Sequence, residues 1–289
     1  MIIETLKYCF HYISCPKYIR ELGLLSDLIG IESRYSRCKQ AWSPHLEHSR
    51  RVILEAAQRL QKRERIIIFG AGSLHDVPLR ELSELFTEVH LVDIFFLQGT
   101  INEIKSYPNV EFHEVDITGV LKKAYEVLAN QINVLGKRRR TRIDQMHIDL
   151  VGCSIVPKHF INDEFDLVIS LNLLSQLPMA IKTYSEKKLQ LGIEHLTLSS
   201  FYASLITNHL SYLRAFALKG ARVLLISDTE KQVCKVDGEI LLTESSLEGM
   251  GEDIFSEFEL IDQWTWDLAP IGELDSQYIL QLQIKAFIV

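Results

Sequence analysis

The sequence predicts an α/β fold with a doubly wound, mostly parallel seven-stranded sheet, an antiparallel C-terminal strand and a helical N-terminal extension. Continuous apolar runs of strand length alternate five times with segments of helical periodicity, the pattern of a parallel sheet with helices on both faces. The last two β-rich runs are separated by only about ten residues, fewer than a helical crossover needs. We therefore expect these two runs to pair antiparallel at one edge of the sheet.

The N-terminal residues 1–48 are predicted to be a helical extension that serves as a lid or an interface, and residues 49–289 the main domain. The first helix of that domain, predicted over 49–63, has apolar residues at helical spacing. Ser43-Pro44 lies just upstream and can begin it, since proline is tolerated in a first turn. Packing between extension and domain is favoured over a catalytic lid for the residues before this helix, which are Trp42, Pro44, His45 and His48.

From residue 65 the predicted elements alternate regularly. The run Arg65-Ile-Ile-Ile-Phe-Gly70 is continuously apolar and ends in glycine, as a buried parallel strand should. The predicted parallel strands are 65–70, 88–95, 110–118, 164–175 and 221–228. The predicted helices are 78–86, 97–106, 120–135, 179–191 and 197–218. The terminal β-rich runs are 257–267, whose Trp264 and Trp266 share one face, and 278–289.

Composition narrows the class of protein. An apolar fraction of 47% and a charged fraction of 24% over 289 residues are ordinary for a globular chain with a large core. The formal charge of −7 gives no general attraction to nucleic acid or anionic lipid. Five scattered cysteines without a CxxC pair indicate reduced thiols, no disulfide framework and no metal site. Without an apolar segment of about 20 residues or a signal peptide, the chain is predicted to be cytoplasmic, with no membrane contact.

The candidate site lies where the predicted strands end. The loop Gly70-Ala71-Gly72 follows the first strand and precedes a helix, so that the backbone can approach a ligand closely. Asp93 ends the second strand, where a carboxylate can accept hydrogen bonds from both ribose hydroxyls. Asp116 ends the third strand, where it can accept from an adenine amino group. Each signal alone also fits a structural turn or a helix cap, but their order along one crevice favours an adenosine cofactor.

These segments resemble the class I S-adenosylmethionine-dependent methyltransferases. IIIFGAGSLHD is similar to the family's first motif, EVHLVDI to the second strand with its ribose-binding acid, and FHEVDI to the third strand. FDLVISLNLLSQLP and GARVLLISD are similar to the fourth and fifth strands, and the terminal strand pair matches the family's reversed last strand. The resemblance covers about residues 49–289 and implies S-adenosylmethionine as the cofactor.

The resemblance also implies a role for each cofactor-binding residue. It assigns the methionine and ribose side of the cofactor to Gly70, Ala71 and Gly72. It assigns the ribose and adenine face to Asp93 and Ile94, the adenine to Asp116 and Ile117, and the floor beneath the sulfonium to Asn172.

Two positions depart from the family pattern. Phe69 stands where an acidic residue usually precedes the first glycine, and Leu74 where a third glycine is common. Asp76 can replace the missing acid by contacting the ammonium group of the cofactor.

Methyl transfer needs few catalytic side chains, because the sulfonium is a good leaving group. The protein mainly has to align the acceptor atom with the methyl group and the sulfur in a pocket without water. We therefore predict no catalytic triad. SLNLLSQLP stands where DNA-base methylases carry an Asn/Asp-Pro-Pro-aromatic motif, which disfavours that activity. The predicted function is methyl transfer to a small molecule or a protein side chain.

Three alternatives remain open. Phe69 and Leu74 are compatible with a non-catalytic binding or scaffold protein that keeps the fold. Tyr184 and Lys188 have the Tyr-x-x-x-Lys spacing of NAD(P)-dependent short-chain dehydrogenases, a match that arises easily by chance. A local contact with RNA phosphate is conceivable for the basic run, although a solvated loop is favoured because no aromatic residues interleave. That run includes Arg138, Arg139 and Arg140.

Overall fold

The computed structural model describes residues 2–135, 150, 159–189, 196–247 and 249–289. The basic run with Arg138, Arg139 and Arg140 lies outside these residues, so the predicted solvated loop stays a prediction.

An eight-stranded sheet forms the centre of the molecule. Its strands are β1 (Arg65–Phe69), β2 (Glu88–Asp93), β3 (Val110–Glu114), β4 (Leu167–Leu171), β5 (Arg222–Lys235), β6 (Ile240–Ser245), β7 (Glu259–Ala269) and β8 (Tyr278–Ile288). The order across the sheet is β3-β2-β1-β4-β5-β8-β7, and among the described strands β6 pairs only with β5. β1 to β5 are parallel, whereas β8 runs antiparallel to both β5 and β7. The predicted fold class and the antiparallel terminal pair are confirmed.

The sheet has one strand more than the seven predicted. The fifth strand was predicted to end at Asp228, but β5 continues to Lys235, and the chain reverses at Gly238 (φ 91°) into β6. Charged residues in this extension obscured the strand pattern. All six residues of β6 are exposed. Its apolar residues, Ile240, Leu241 and Leu242, form a run of only three, shorter than the apolar runs that predict a buried strand.

Helices flank the sheet. They are α1 (Ile2–His11), α2 (Lys17–Glu21), α3 (Leu24–Gln58), α4 (Leu79–Leu85), α5 (Gln98–Ile104), α6 (Leu121–Leu135), α7 (Met179–Tyr184) and α8 (Leu196–Ala217). Within the described ranges, no helix has both the length and the apolarity that crossing a bilayer requires.

The helix predicted to begin near residue 49 is part of the 35-residue α3. This helix is kinked at Cys38 (φ −104°, ψ 15°) and continues through Pro44. Proline inside a helix removes one backbone donor, so the sequence favoured a helix start at this point. The boundary predicted between residues 48 and 49 thus falls inside one helix, and the division into extension and domain stays a prediction.

The core has a layer on each face of the sheet, as the alternation of strand side chains requires. On one face Ile67 and Val168 pack with residues of α6 and α8. On the other face Ile66 and Ile68 pack with α4 and with the second half of α3, which buries Ile53 completely.

The beginning of the chain reaches the carboxyl end of β2. Ile19 of α2 and Leu25 and Ile29 of α3 form a separate apolar cluster with Phe95 and Leu97, which directly follow that strand. The N-terminal helices therefore lie beside the crevice in which the sequence places the cofactor.

Candidate functional site

The loop after β1 is shaped by two glycines in the left-handed region. Gly70 has φ 80° and Gly72 φ 50°. A Cβ on Gly70 would lie 2.6 Å from the carbonyl oxygen of Leu171 on β4, so the neighbouring strand allows no side chain there. A Cβ on Gly72 would meet only ordinary contacts, the Asp93 carboxylate at 3.9 Å among them. The neighbouring strand therefore excludes a side chain at position 70, whereas a side chain at position 72 would have room on the side that faces Asp93.

Leu74, which stands where the methyltransferases commonly have a third glycine, also has a positive φ of 63°. A non-glycine residue pays a steric cost for this conformation. Its side chain is buried in the core layer beneath α3, where burial offsets that cost. The turn geometry that favours glycine is therefore present without the glycine.

Asp93 joins the end of β2 to the loop after β1. Its Oδ2 accepts a hydrogen bond from the Gly72 N–H at 2.7 Å, and its Oδ1 accepts one from the Ile94 N–H at 2.7 Å. Burial raises the pKa of Asp93 to about 6, against the opposing effect of these backbone donors. The Phe95 N–H is a third backbone donor to this carboxylate. A carboxylate has about four acceptor positions, so one remains for a ligand hydroxyl. The structure thus brings together the predicted turn and the predicted ribose-binding acid.

Asp76 and Asn172 also meet, although the sequence separates them by 96 residues. Asn172 Nδ2 donates to Asp76 Oδ2 at 2.9 Å. Burial raises the pKa of Asp76, and the Asn172 hydrogen bond acts in the opposite direction. Among the described atoms, the buried Oδ1 of Asn172 has no hydrogen-bond partner. An acceptor oxygen left free beside a buried carboxylate suits a cationic or donor-rich ligand.

Asp116 is engaged in its own turn. Its Oδ1 accepts from the N–H and the hydroxyl of Thr118, and its Oδ2 accepts from the N–H of Leu121 at the start of α6. This is the helix-capping role that competed with adenine binding in the sequence analysis. Beside it, Ile117 is buried, while Ile94 is partly buried against the N-terminal helices.

The sequence analysis did not single out two further groups at this end of the sheet. Glu114 ends β3, pairs in register with Asp93 and accepts from the Phe96 N–H at 3.0 Å. Ser175 donates to Asp228 at 2.6 Å, and both side chains are buried. Glu114 is the glutamate of the FHEVDI segment, two residues before Asp116, so the sequence did contain a signal for it. Nothing local in the sequence links Ser175 to Asp228.

A cavity of about 510 Å³ lies between the N-terminal helices and the loop after β1. α1 contributes His11, α3 contributes Glu32 and Tyr35, and the loop contributes His75. His75 stacks on the Tyr35 ring with centroids 3.7 Å apart, and its Nε2 lies 3.0 Å from Glu32. Residues 1–48 therefore form one wall of an open space that begins at Ser73, just after the two glycines, and the predicted cofactor-binding residues are not part of its lining.

The group of aromatic residues around Trp42 serves packing. Trp42 Nε1 donates to the Leu268 carbonyl at 3.0 Å, and His45 stacks on Trp266 with centroids 4.1 Å apart. Trp264 Nε1 donates to His45 Nδ1 at 3.0 Å. These contacts attach α3 to β7, as the favoured interpretation predicted.

Phe69 and Tyr184, on which the scaffold and dehydrogenase alternatives rest, both lie in the core. Phe69 is fully buried and packs near the rings of Tyr212 and Phe216, so it does not face the crevice. Tyr184 is buried against Tyr125, and burial raises its pKa. A tyrosine that transfers protons in a dehydrogenase needs a pKa close to the working pH, so this environment disfavours that activity.

No protein-family model matches the chain, and no curated protein matches it significantly. Several solved structures, in contrast, match the chain significantly. The chain is similar to DhpI in complex with SAH, at 13% identity over 89% of this chain and 93% of that chain, with a TM-score of 0.38. It is similar to the N-methyltransferase NodS from Bradyrhizobium japonicum WM9, at 10% identity over 84% and 94% of the two chains (TM-score 0.37).

A third similar structure is the 1,6-didemethyltoxoflavin-N1-methyltransferase from Burkholderia thailandensis, with bound 1,6-didemethyltoxoflavin and S-adenosylhomocysteine. Identity is 12% over 89% of this chain and 86% of that chain, with a TM-score of 0.37. At such identities and TM-scores, these similarities say nothing about the substrate of this chain.

Proposed function

We propose that this protein is an S-adenosylmethionine-dependent methyltransferase. The observation that supports the proposal is the 2.7 Å hydrogen bond from the Gly72 N–H to Asp93, because it brings the acid proposed to bind ribose next to the glycine loop. A strand end, a glycine turn and a carboxylate in this arrangement are what a nucleoside would need at the switch point of a parallel sheet.

The residues present fit this cofactor. Asp93 would accept from a ribose hydroxyl, and the backbone at Gly70 and Gly72 allows close approach. Asp76 and the free Oδ1 of Asn172 would face the ammonium and sulfonium end, where positive charge must be compensated. Because the Asp116 carboxylate caps α6, we expect it to hold the turn that carries Ile117 against the adenine.

When bound, the cofactor supplies a methyl group on a positively charged sulfur. The chain then has to align an acceptor atom with that methyl and exclude water. The cavity beside the loop, about 510 Å³, is of the size of small-molecule sites. Its wall of α1 and α3 residues would close over the acceptor, so we favour a small-molecule acceptor, with a protein side chain as the alternative.

Calorimetry with S-adenosylhomocysteine tests the proposal. We expect one site per chain in the wild type and a loss of affinity of at least tenfold in Asp93→Ala, since a ribose hydrogen bond to a charged acceptor disappears. Asp237→Ala is the matched control, because this exposed aspartate lies in the turn between β5 and β6, beyond the part of β5 that pairs with β4. No binding at millimolar ligand, or equal binding in wild type and Asp93→Ala, would refute the proposal.

A second candidate is a methyltransferase fold that binds the cofactor without turnover. It is favoured by Phe69, a buried residue at the position before the first glycine, where the methyltransferases usually have an acid. Binding of S-adenosylhomocysteine with no transfer of labelled methyl groups to a broad panel of small molecules and proteins would support this candidate over the first.

A further inference from the structure

Two histidines and a glutamate converge on one face of the sheet at its β3 edge. His90 Nδ1 lies 3.1 Å from His113 Nε2, and Glu111 Oε2 lies 3.8 Å from each of these nitrogens. We propose that His90, Glu111 and His113 form a binding site for a divalent transition metal ion. Two imidazoles and one carboxylate are ligands that Zn²⁺ prefers, so we assign the site to Zn²⁺.

Strand register creates the cluster. His90 on β2 stands directly opposite Glu111 on β3, and His113 follows two residues later on the same face. Asp93, three residues after His90, points to the other face. The site is therefore separate from the crevice proposed for the cofactor, and it does not depend on methyltransferase activity.

The distances fit coordination. Zn²⁺ takes His nitrogens and carboxylate oxygens at about 2.0–2.1 Å, which places neighbouring ligand atoms of a tetrahedron about 3.3 Å apart. The two nitrogens are already at this spacing. The Glu111 side chain is 70% exposed and free to move in by the few tenths of an ångström that remain. Three protein ligands would leave the fourth position to water.

The surroundings also match those of metal-binding histidines. On the far side of the His90 ring, Nε2 lies 3.5 Å from Glu88, and within the described part of the chain it has no hydrogen-bond partner. Arg65 donates to Glu88 at 3.0 Å and fixes that carboxylate. With a metal ion on Nδ1, Nε2 would carry the proton and could donate to Glu88 after a small approach of the two groups. A carboxylate that accepts from a ligating imidazole in this way orients the ring and raises its basicity, which strengthens metal binding.

Aromatic rings enclose the two imidazoles. Phe165 meets His90 edge-on, with centroids 5.5 Å apart, and Phe160 meets His113 at 5.1 Å. A bound ion would link β3, the edge strand of the sheet, to β2. The sheet edge would then be stabilised by coordination as well as by its backbone ladder.

Cobalt titration of untagged, chelator-stripped protein tests the site, followed by Zn²⁺ competition against a chromogenic chelator. We expect one Co²⁺ per chain, with d–d bands typical of nitrogen and oxygen ligands and no sulfur-to-cobalt charge-transfer band. Zn²⁺ should displace it and raise the melting temperature. His113→Asn should abolish tight binding, and Glu88→Gln should weaken it about 10- to 100-fold.

Two further variants keep the test decisive. Glu111→Gln changes an exposed side chain, so its loss of affinity reports on coordination even if His113→Asn fails to fold. His48→Asn is the control, because His48 pairs with one carboxylate, Asp262, at 2.9 Å and should leave metal binding unchanged. Absence of binding in the wild type, thiolate bands, or equal affinity in wild type and Glu111→Gln would overturn the proposal.

Discussion

Asn172 Nδ2 donates a 2.9 Å hydrogen bond to Asp76, which ties the loop after β4 to the loop after β1. Asn172 makes this contact from a left-handed backbone conformation, with φ 48°. Asparagine tolerates that conformation better than most residues, but it still costs free energy. Strain of this kind persists where the surrounding structure fixes it, and it is often found at ligand sites.

Substitution of Asn172 separates the backbone cost from the side-chain contact. Asn172→Gly accepts the positive φ without strain, so its loss of function reports on the missing side chain alone. We expect at least tenfold weaker binding of S-adenosylhomocysteine in both Asn172→Gly and Asn172→Ala. Asn172→Ala should also be less stable than Asn172→Gly by about 1 kcal/mol in denaturant unfolding. Equal stability of the two variants would contradict the strain at this position.

The two glycines of the loop should respond differently to alanine. Gly70→Ala pushes a Cβ to 2.6 Å from the Leu171 carbonyl oxygen, and backbone cannot yield as a side chain can. We expect a loss of more than about 3 kcal/mol in the free energy of unfolding, from overlap added to the cost of the positive φ.

Gly72→Ala has no such overlap and should lose only about 1–2 kcal/mol for its φ. Guanidinium unfolding measures both variants. Gly99→Ala is the control, since its Cβ would meet none of the described atoms within 4 Å in the first turn of α5. It should be neutral or slightly stabilising. Similar losses for Gly70→Ala and Gly72→Ala would show that Leu171 does not restrict the loop.

Cofactor affinity should depend on pH through Asp93. Its pKa of about 6 means that the carboxylate is almost fully ionised at pH 7.5 and mostly protonated at pH 5.5. A protonated carboxyl loses an acceptor site for the ribose, so we expect affinity to fall about fourfold between these values. Calorimetry at each pH measures this change. Asp93→Asn, which cannot ionise, should bind weakly and without the pH dependence, and an unchanged pH dependence in this variant would assign the titration to another group.

Acid should destabilise the attachment of α3 to β7. Burial lowers the pKa of His45 from 6.5 to about 3, and the side chain is 1% exposed. Between these pH values the unfolded chain binds a proton at His45 that the folded chain does not. The free energy of unfolding therefore falls as the pH drops from 6.5 towards 3, by up to about 1.4 kcal/mol per pH unit from this residue.

His45→Asn tests that share of the acid sensitivity. The asparagine carbonyl can still accept from Trp264 Nε1, so the packing contact is largely kept. Urea unfolding of both proteins between pH 7 and pH 4.5 should give a shallower slope for the variant. Parallel slopes would mean that His45 titrates alike in the folded and unfolded chains.

Most of the fold could be predicted from the sequence because buried parallel strands are continuously apolar and their helices are amphipathic. The five alternations of apolar runs with helical segments predicted the parallel sheet, and the short terminal connection predicted its reversed end. β6 escaped prediction because its apolar run, Ile240 to Leu242, is short, and its ladder with β5 rather than burial holds it in place. The length of α3 escaped because Pro44, in sequence, marks a helix start as readily as a kink.

The residue types of the candidate site were likewise readable from the sequence, since glycines and carboxylates at strand ends meet at one edge of a parallel sheet. Their partners were not. That Asp93 reaches Gly72, that Asp116 caps α6 and that His90 meets His113 depends on strand register and side-chain direction. Local sequence periodicity fixes which face a residue occupies, whereas the packing of distant segments fixes which polar atoms are satisfied and which remain free for a ligand.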